Sequence, residues 1–249
     1  MAGHFDSPFV VFAVALVVQV IAAYVGDLLR RRARRLPSDE RHYFDTVQAV
    51  TLTLLALIIG FAFSMAVNRY DQRKTLEEAE ANAIGTEYLR VALLPGDGGS
   101  HTRELLKKYL DLRLGFYDQG SAEIDQQTAQ LQNELWAALL PAAAGQQTPT
   151  MALVLSGMND VINSQGYTQA AWWNRIPAGA WAMMGLMAIS CNLLVGYRER
   201  RSGELFLFVL PLIISMAFFL IADLDSPRGG IIHVRPQNLL AVSQSLKPS

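Results

Sequence analysis

Four runs of apolar residues dominate the hydropathy pattern, and each is about long enough to cross the roughly 30 Å of hydrocarbon in a bilayer. They cover Pro8 to Leu29, Ala49 to Val67, Pro177 to Tyr197 and Leu205 to Ala222. The first run is too long for the core of a secretory signal, and the basic sequence RRRARR follows it where a cleavage site would lie. The pattern therefore predicts four transmembrane helices.

The second apolar run belongs to a much longer helix. Ser38 precedes Asp39 and Glu40, which is typical of a helix N-terminus, and the next strong breaker is LLPGDGG at 93–99. One helix of about 55 residues, about 80 Å long at 1.5 Å per residue, is predicted between them. The charged stretch RYDQRKTLEEAEANAIGTEYLR, residues 69–90, is then the same helix continuing from lipid into water.

Three further helical patterns follow the breaker. Apolar residues recur every three or four positions over 105–116, 124–139 and 151–162, and Thr148 with Pro149 forms a start signal for the last of them. Each helix buries one apolar stripe, so together with the extended second helix they predict a soluble bundle. Trp172, Trp173 and Trp181 bracket the start of the third span, and we interpret them as aromatic residues at the membrane interface.

These elements predict an all-α fold, in which a four-helix transmembrane protein has a long second helix that extends into a soluble helical bundle. Three segments follow from this: transmembrane helices 1 and 2 with a short basic loop over 1–68, the soluble bundle over 69–176, and transmembrane helices 3 and 4 with a C-terminal tail over 177–249.

The basic residues predict the orientation in the membrane. Short loops rich in Lys and Arg remain in the cytoplasm. The loops between spans one and two and between spans three and four carry nine arginines: Arg30, Arg31, Arg32, Arg34, Arg35, Arg41, Arg198, Arg200 and Arg201. The N-terminus, the bundle and the C-terminus are then extracytoplasmic, and the location is a bacterial plasma (inner) membrane.

Composition narrows the class of protein further. The 21 basic and 22 acidic residues nearly balance, which argues against a nucleic-acid partner and leaves the lipid bilayer as the expected surrounding. The four histidines show no metal-ligand spacing, and neither a nucleophile motif nor a phosphate-binding loop occurs. We expect no catalytic residue, no metal and no cofactor, and hence no enzyme. Cys191 is interpreted as an apolar packing residue.

One face of the second span is small and polar. At 100° per residue, Thr53, Gly60, Ser64 and Asn68 fall within an arc of about 80°. Such a face either packs against another helix or lines a water-filled path, and the sequence leaves both open. In a path, the apolar neighbours Phe61 and Phe63 would form a constriction that gates by loss of water.

Two aspartates end the fourth span, in the sequence IADLDSPRGG. Spans two and four end on the same side of the membrane, so Asp223 and Asp225 lie at the depth of Arg69 and Arg73. The sequence permits ion pairs between these arginines and aspartates, or a cation site made by the two carboxylates.

Three stretches indicate a family. The sequence GFAFSMAVNRYDQRKTLEEAEANAIGTEYLR with a following LLP, the later LLKKYLDLR and the terminal DLDSPRGG resemble the bacterial bestrophin-like membrane proteins, a family with a domain of unknown function. The resemblance implies kinship with bestrophins, which are pentameric anion or cation channels whose second span lines the pore. Bestrophins hold their soluble part in the cytosol, so the resemblance implies the opposite orientation to the one that the arginines predict.

Our leading hypothesis is therefore a homo-oligomeric ion channel of bestrophin-like type, with the ion unknown. The resemblance places its pathway at Thr53, Gly60, Phe61, Ser64 and Asn68. The alternative is a non-conducting membrane sensor or scaffold whose soluble helical bundle binds a partner.

Overall fold

The structure is a computed structural model that describes residues 7–32, 38–94, 97–145, 148–198 and 206–247. Every regular element in these ranges is helical. In chain order the helices are α1 (Pro8–Arg32), α2 (Ser38–Arg90), α3 (Gly98–Asp118), α4 (Ala122–Gly145), α5 (Pro149–Trp173), α6 (Ala178–Tyr197), α7 (Phe206–Asp225) and α8 (Gln237–Ser245), and a 3-10 turn at Val91–Leu93 follows α2. The all-α prediction is confirmed.

Four helical segments in the described ranges are long and apolar enough to cross a membrane: Pro8–Arg32, His42–Leu93, Pro149–Tyr197 and Phe208–Asp225. The second of these covers most of α2 and the 3-10 turn after it, and the third covers α5 and α6. Helix α2 runs unbroken for 53 residues, close to the predicted length. Some residues used above lie outside the described ranges: Arg34, Arg35, Arg200, Arg201, and Pro95 and Gly96 of the breaker.

The chain divides into two compact units, residues 1–70 with 175–233 and residues 71–174 with 234–249. We refer to them as the membrane unit and the bundle unit. Helix α2 contributes its first part to the membrane unit and its last part to the bundle unit. The bundle unit also contains α8, which lies in the predicted C-terminal tail.

The core of the membrane unit is formed by α2, α6 and α7. Leu55, Ala62 and Ala66 of α2 pack in one cluster with Cys191 of α6 and Phe218 of α7, and all five are at most 5% exposed. Cys191 is thus a packing residue, as expected.

Helices α1 and α6 approach each other very closely. A Cβ atom on Gly26 would stand 2.1 Å from the backbone oxygen of Leu193, and one on Gly196 would stand 1.9 Å from that of Ala23. Nearby, Gln19 donates to Ser215 of α7 at 3.2 Å and accepts from Asn192 of α6 at 3.0 Å. Small residues and buried amides of this kind hold transmembrane helices together.

The bundle unit has its own apolar core. Leu106 of α3, Leu135 of α4 and Met158 of α5 are fully buried. Helix α5 begins as the sequence predicts, because the Thr148 hydroxyl oxygen accepts the backbone N–H of Met151 at 3.2 Å and Pro149 occupies the first turn.

The interfacial assignment of Trp172 is wrong. Its side chain is only 5% exposed and lies against the rings of Phe116 and Tyr117, with centroids 4.9 and 5.3 Å away. Two aromatic partners in the bundle core bury more of the indole than the membrane boundary would. Trp173, by contrast, is 74% exposed.

The orientation in the membrane can be tested with one cysteine. A cysteine at Gly98 should react with a membrane-impermeant thiol reagent in cells whose outer membrane is permeabilised, because the arginine-rich loops predict that this residue is extracytoplasmic. No described residue lies within 4 Å of a Cβ atom at Gly98, so the substitution fits. The only native cysteine, Cys191, is buried.

The control for this experiment is a cysteine at Tyr43, which is 74% exposed and precedes the second span. It should be protected until the cells are lysed. Labelling of Tyr43→Cys with protection of Gly98→Cys would reverse the orientation and agree with that of bestrophins.

Candidate functional site

The polar face of the second span is uncovered in the single chain. Thr53, Gly60, Phe61, Ser64 and Asn68 are all exposed, and Phe61 reaches 62%. The opposite face of the same helix is packed into the membrane unit through Leu55, Ala62 and Ala66. Helix α2 therefore packs the face of Leu55, Ala62 and Ala66 and leaves the polar residues exposed, with apolar residues such as Leu54 and Leu57 beside them.

The backbone of α2 is also uncovered on this face, at Gly60. Among the described residues, nothing lies within 4 Å of a Cβ atom built on Gly60, whereas Gly26 and Gly196 each touch the facing helix. Close packing of small residues within one subunit thus occurs between α1 and α6, away from the polar face of α2. The hydroxyl group of Thr53 donates to the backbone oxygen of Ala49 at 2.9 Å.

The last turns of α2, which we expected in water, carry buried charged residues. Glu77, Glu80 and Glu87 are 2%, 0% and 0% exposed, and they share an arc of about 80° on the helix. Arg73 is 1% exposed. Glutamate is almost never fully buried unless it is paired, so each of these carboxylates requires an explanation from its surroundings.

Glu80 is held by a buried arginine and a hydroxyl group. The guanidinium of Arg113 on α3 donates to both carboxylate oxygens through Nε and Nη2, and the Thr168 hydroxyl on α5 donates to Oε2 at 3.0 Å. Neither side chain of the ion pair is exposed. This network connects α2, α3 and α5 in the bundle core.

Aromatic rings complete the surroundings of the ion pair. The guanidinium carbon of Arg113 lies 4.3 Å from the centroid of the Phe116 ring. Burial lowers the pKa of Arg113, but the charge and hydrogen bonds of Glu80 outweigh it and raise the pKa. Burial, followed by the Glu80 charge, raises the pKa of Tyr109 and of Tyr117. The arginine therefore stays charged and both phenols stay neutral.

Glu77 binds the N-terminus of α8. Its Oε1 atom accepts the backbone N–H groups of Asn238 and Leu239 at 2.9 and 3.0 Å, and Oε2 accepts the Asn238 side-chain amide at 2.6 Å. Pro236 precedes α8 and makes no capping bond. The carboxylate of Glu77 serves as the cap instead, which explains its burial.

The two aspartates of the DLDSPRGG stretch bind backbone groups. Asp223 accepts the N–H groups of Ile231 and Ile232 at 2.7 and 3.1 Å. Asp225 accepts the N–H of Ile176 at 3.0 Å and the Nε–H of Arg175 at 3.1 Å. Each carboxylate oxygen accepts a hydrogen bond from one of these N–H groups, so these contacts stabilise the anions without a metal ion. The stretch thus forms an anchored turn after α7.

The pairing of Arg69 or Arg73 with these aspartates stays a prediction, since the contacts above neither require nor preclude it. The alternative, a cation site made by the two carboxylates, also stays a prediction.

Gly230 makes the turn possible, and its replacement should be costly. Its φ is +91°, and a Cβ atom would stand 1.6 Å from Oδ1 of Asp223. We expect Gly230→Ala to lower the free energy of unfolding by about 1–3 kcal/mol, through backbone strain and displacement of the Asp223 bonds. Thermal unfolding of the purified protein measures this. Gly185→Ala on α6, where no described residue lies within 4 Å of the added Cβ atom, should be neutral or stabilising. Equal losses in both variants would contradict the role of Gly230.

Sequence reasoning missed the buried carboxylates, although signals were present. The apolar residues of 69–90 that are buried, Ala81 and Ile84, lie on the same helical face as Glu77, Glu80 and Glu87. Arg113 is the only charged residue within the apolar stretch LRLGFY. A cation in such a stretch, paired with acidic residues on a partly apolar face, indicates a buried ion pair.

Comparison with known proteins agrees with this architecture. The family profile of the Bestrophin-like domain matches residues 11–239. A tryptophan-to-alanine variant of a bacterial bestrophin homologue from Klebsiella pneumoniae has a similar crystal structure, with a TM-score of 0.67 at 13% identity over 98% of this chain and 100% of that chain. A bacterial bestrophin homologue from Klebsiella pneumoniae solved by Zn-SAD phasing has a TM-score of 0.65 at 14% identity, over 95% of this chain and 98% of that chain.

The search of curated proteins found no match. At 13–14% identity, the likeness to the solved structures shows a shared fold, and the family profile covers nearly the whole chain. The predicted resemblance is confirmed: the chain is a membrane protein that belongs to the bestrophin-like family.

Proposed function

We propose that this protein is an oligomeric ion channel of a bacterial inner membrane, in which the polar faces of α2 from several copies surround the ion pathway. The observation that carries the proposal is the exposure of Thr53, Gly60, Phe61, Ser64 and Asn68 on a helix whose other face is packed. Kinship with bestrophins supports the proposed activity, which is the passage of ions down a gradient.

The exposed stripe has the chemistry of a narrow wet path. It carries the hydroxyl groups of Thr53 and Ser64 and the amide of Asn68, but no charged side chain. Neutral polar groups of this kind replace part of an ion's hydration shell without trapping the ion. The Phe61 ring, 62% exposed on the neighbouring side, supplies an apolar constriction that gates by loss of water.

Assembly is part of the proposal because the face is open. An Asn68 amide that faces lipid leaves its hydrogen-bonding groups without water, which is unfavourable in hydrocarbon. When several copies close around one axis, these groups contact water. The packed face of α2, with Leu55, Ala62 and Ala66, stays unchanged.

Two measurements on the purified full-length protein test the proposal. Its mass in detergent should correspond to a closed homo-oligomer, and liposomes that contain it should pass ions down a salt gradient faster than liposomes without protein. Separate gradients with an impermeant anion and an impermeant cation identify the sign of the permeant ion. A monomer without flux would remove the channel proposal and leave the non-conducting sensor or scaffold.

A further inference from the structure

Glu87 differs from the other buried carboxylates of α2. Its side chain is fully buried, and neither oxygen has a hydrogen-bond partner among the described residues. Its only cation within reach in those residues is Arg90, whose Nη1 lies 4.0 Å from Oε2, at the outer limit of an ion pair. Glu77 and Glu80, by contrast, each accept three hydrogen bonds.

Helix α5 covers the Glu87 carboxyl group directly. A Cβ atom on Gly157 would stand 1.9 Å from Oε2 of Glu87 and 2.4 Å from Nη1 of Arg90. Because Gly157 has no side chain, the backbone of α5 can lie directly against Oε2 of the carboxyl group. A buried charge without hydrogen bonds is strongly unfavourable, whereas a neutral acid is tolerated in the same place.

We propose that Glu87 is a proton-binding site: its carboxyl group holds a proton while α2 and α5 are packed at Gly157, and loss of the proton weakens this packing. The ligand is the proton itself. The site lies in the bundle unit, about 30 Å along the helix from the end of the apolar run of α2 at 1.5 Å per residue. The proposal therefore does not depend on whether the protein conducts ions.

Two charged groups act on the site from the helices that form it. Burial raises the pKa of Glu87 to about 8; Arg90 on α2 opposes this rise, and Asp160 on α5 adds to it. In the unfolded chain the carboxyl group titrates near 4.5. The folded state therefore binds the proton more tightly than the unfolded state between these values. The stabilising contribution is complete below about pH 4.5 and is lost as the pH rises through about 8.

Infrared spectroscopy of the full-length protein detects the proton directly. Raising the pH from about 6 to about 10 should remove a carboxyl C=O stretching band and produce a carboxylate band, with a midpoint near 8. Glu87→Gln should lack this change. Glu78→Gln, the same substitution at an exposed position of α2, should retain it.

Variants of the neighbouring charges distinguish titration of Glu87 from a merely structural role. Arg90→Gln should move the midpoint to higher pH and Asp160→Asn to lower pH, since these groups have opposite effects on the pKa of Glu87. The melting temperature of the wild type should fall between about pH 5 and about pH 9, and Glu87→Gln should lose this part of the dependence.

The wild-type titration and the Arg90 variant decide the question even where Glu87→Gln does not fold. A band that persists in folded Glu87→Gln would overturn the proposal. A wild type without a band at about pH 6 would overturn it too, because the carboxyl group would then be ionised in its pair with Arg90. A midpoint that does not respond to Arg90→Gln would also overturn it, because the titrating group would then not be Glu87.

Discussion

Ser64→Trp should reduce ion flux through the protein in liposomes to the rate of liposomes without protein. Ser64 lies near the centre of the exposed polar face of α2, so one indole from each copy would be placed at the proposed axis. Several copies of a bulky apolar ring would fill the path and exclude water from it. The assembly should be unchanged, because Ser64 is outside the packed cluster of the membrane unit.

The matched control places the same residue on another exposed membrane surface. Leu186 on α6 is 66% exposed, and Leu186→Trp should conduct like the wild type. Ser64→Ala, which keeps the site small, should also conduct. Flux through Ser64→Trp at the wild-type rate, with the oligomer intact, would show that α2 does not line the pathway.

A charge at the end of the same face provides a second readout. Asn68→Asp adds one carboxylate per copy at an exposed position. A ring of carboxylates attracts cations and repels anions, so the reversal potential in a salt gradient should move toward that of a cation-selective path. An unchanged reversal potential would place Asn68 outside the ion pathway.

Arg113→Met should be the most destabilising single substitution in the bundle unit. Among the described residues, it leaves the fully buried carboxylate of Glu80 with only the Thr168 hydroxyl as a hydrogen-bond donor. Removing one partner of a buried ion pair costs about 3–5 kcal/mol because the remaining charge is uncompensated. In a unit of this size we expect the melting temperature to fall by about 10 °C or more. Circular dichroism during thermal unfolding measures this.

The double variant separates two effects on stability, that of an uncompensated charge and that of lost packing. Glu80→Met combined with Arg113→Met removes both charges, so it should be more stable than Arg113→Met alone. Lys108→Met on the exposed side of α3 is the control and should change stability by less than about 0.5 kcal/mol. If the losses of the two single variants simply add in the double variant, the Glu80–Arg113 pair is not the source of the effect.

The proposed pathway could be found from the sequence because it depends on one helix alone. Thr53, Gly60, Ser64 and Asn68 share a face through the 100° rotation per residue, and this geometry is the same in every α-helix. The structure adds that the opposite face, with Leu55, Ala62 and Ala66, is the one that packs within the subunit. Periodicity predicts which residues point together, but only packing shows which face remains open.

The buried carboxylates could not be predicted in this way. On α2 they stand among exposed charged residues, and a charge-rich helix is ordinarily a solvated one. Glu80 pairs with Arg113, which is 33 residues away in the sequence, and accepts a hydrogen bond from Thr168, which is 88 residues away. Glu77 accepts hydrogen bonds at the start of α8, 161 residues away in the sequence. Whether a glutamate is solvated, paired or protonated depends on partners that the fold brings from distant parts of the chain.

The sequence by itself determined the helical class, the four spans, the unbroken α2 and the family, because these follow from local periodicity, helix-breaking residues and motifs. Only the tertiary structure decided that Trp172 lies in the bundle core, that the aspartates of DLDSPRGG anchor a turn, and that Glu87 lies beneath Gly157 without a hydrogen-bond partner in the described ranges. Hydrophobic periodicity acts over neighbouring turns of one helix. Burial and ionisation depend on desolvation and on partners within a few ångströms, and these are set by how the helices pack.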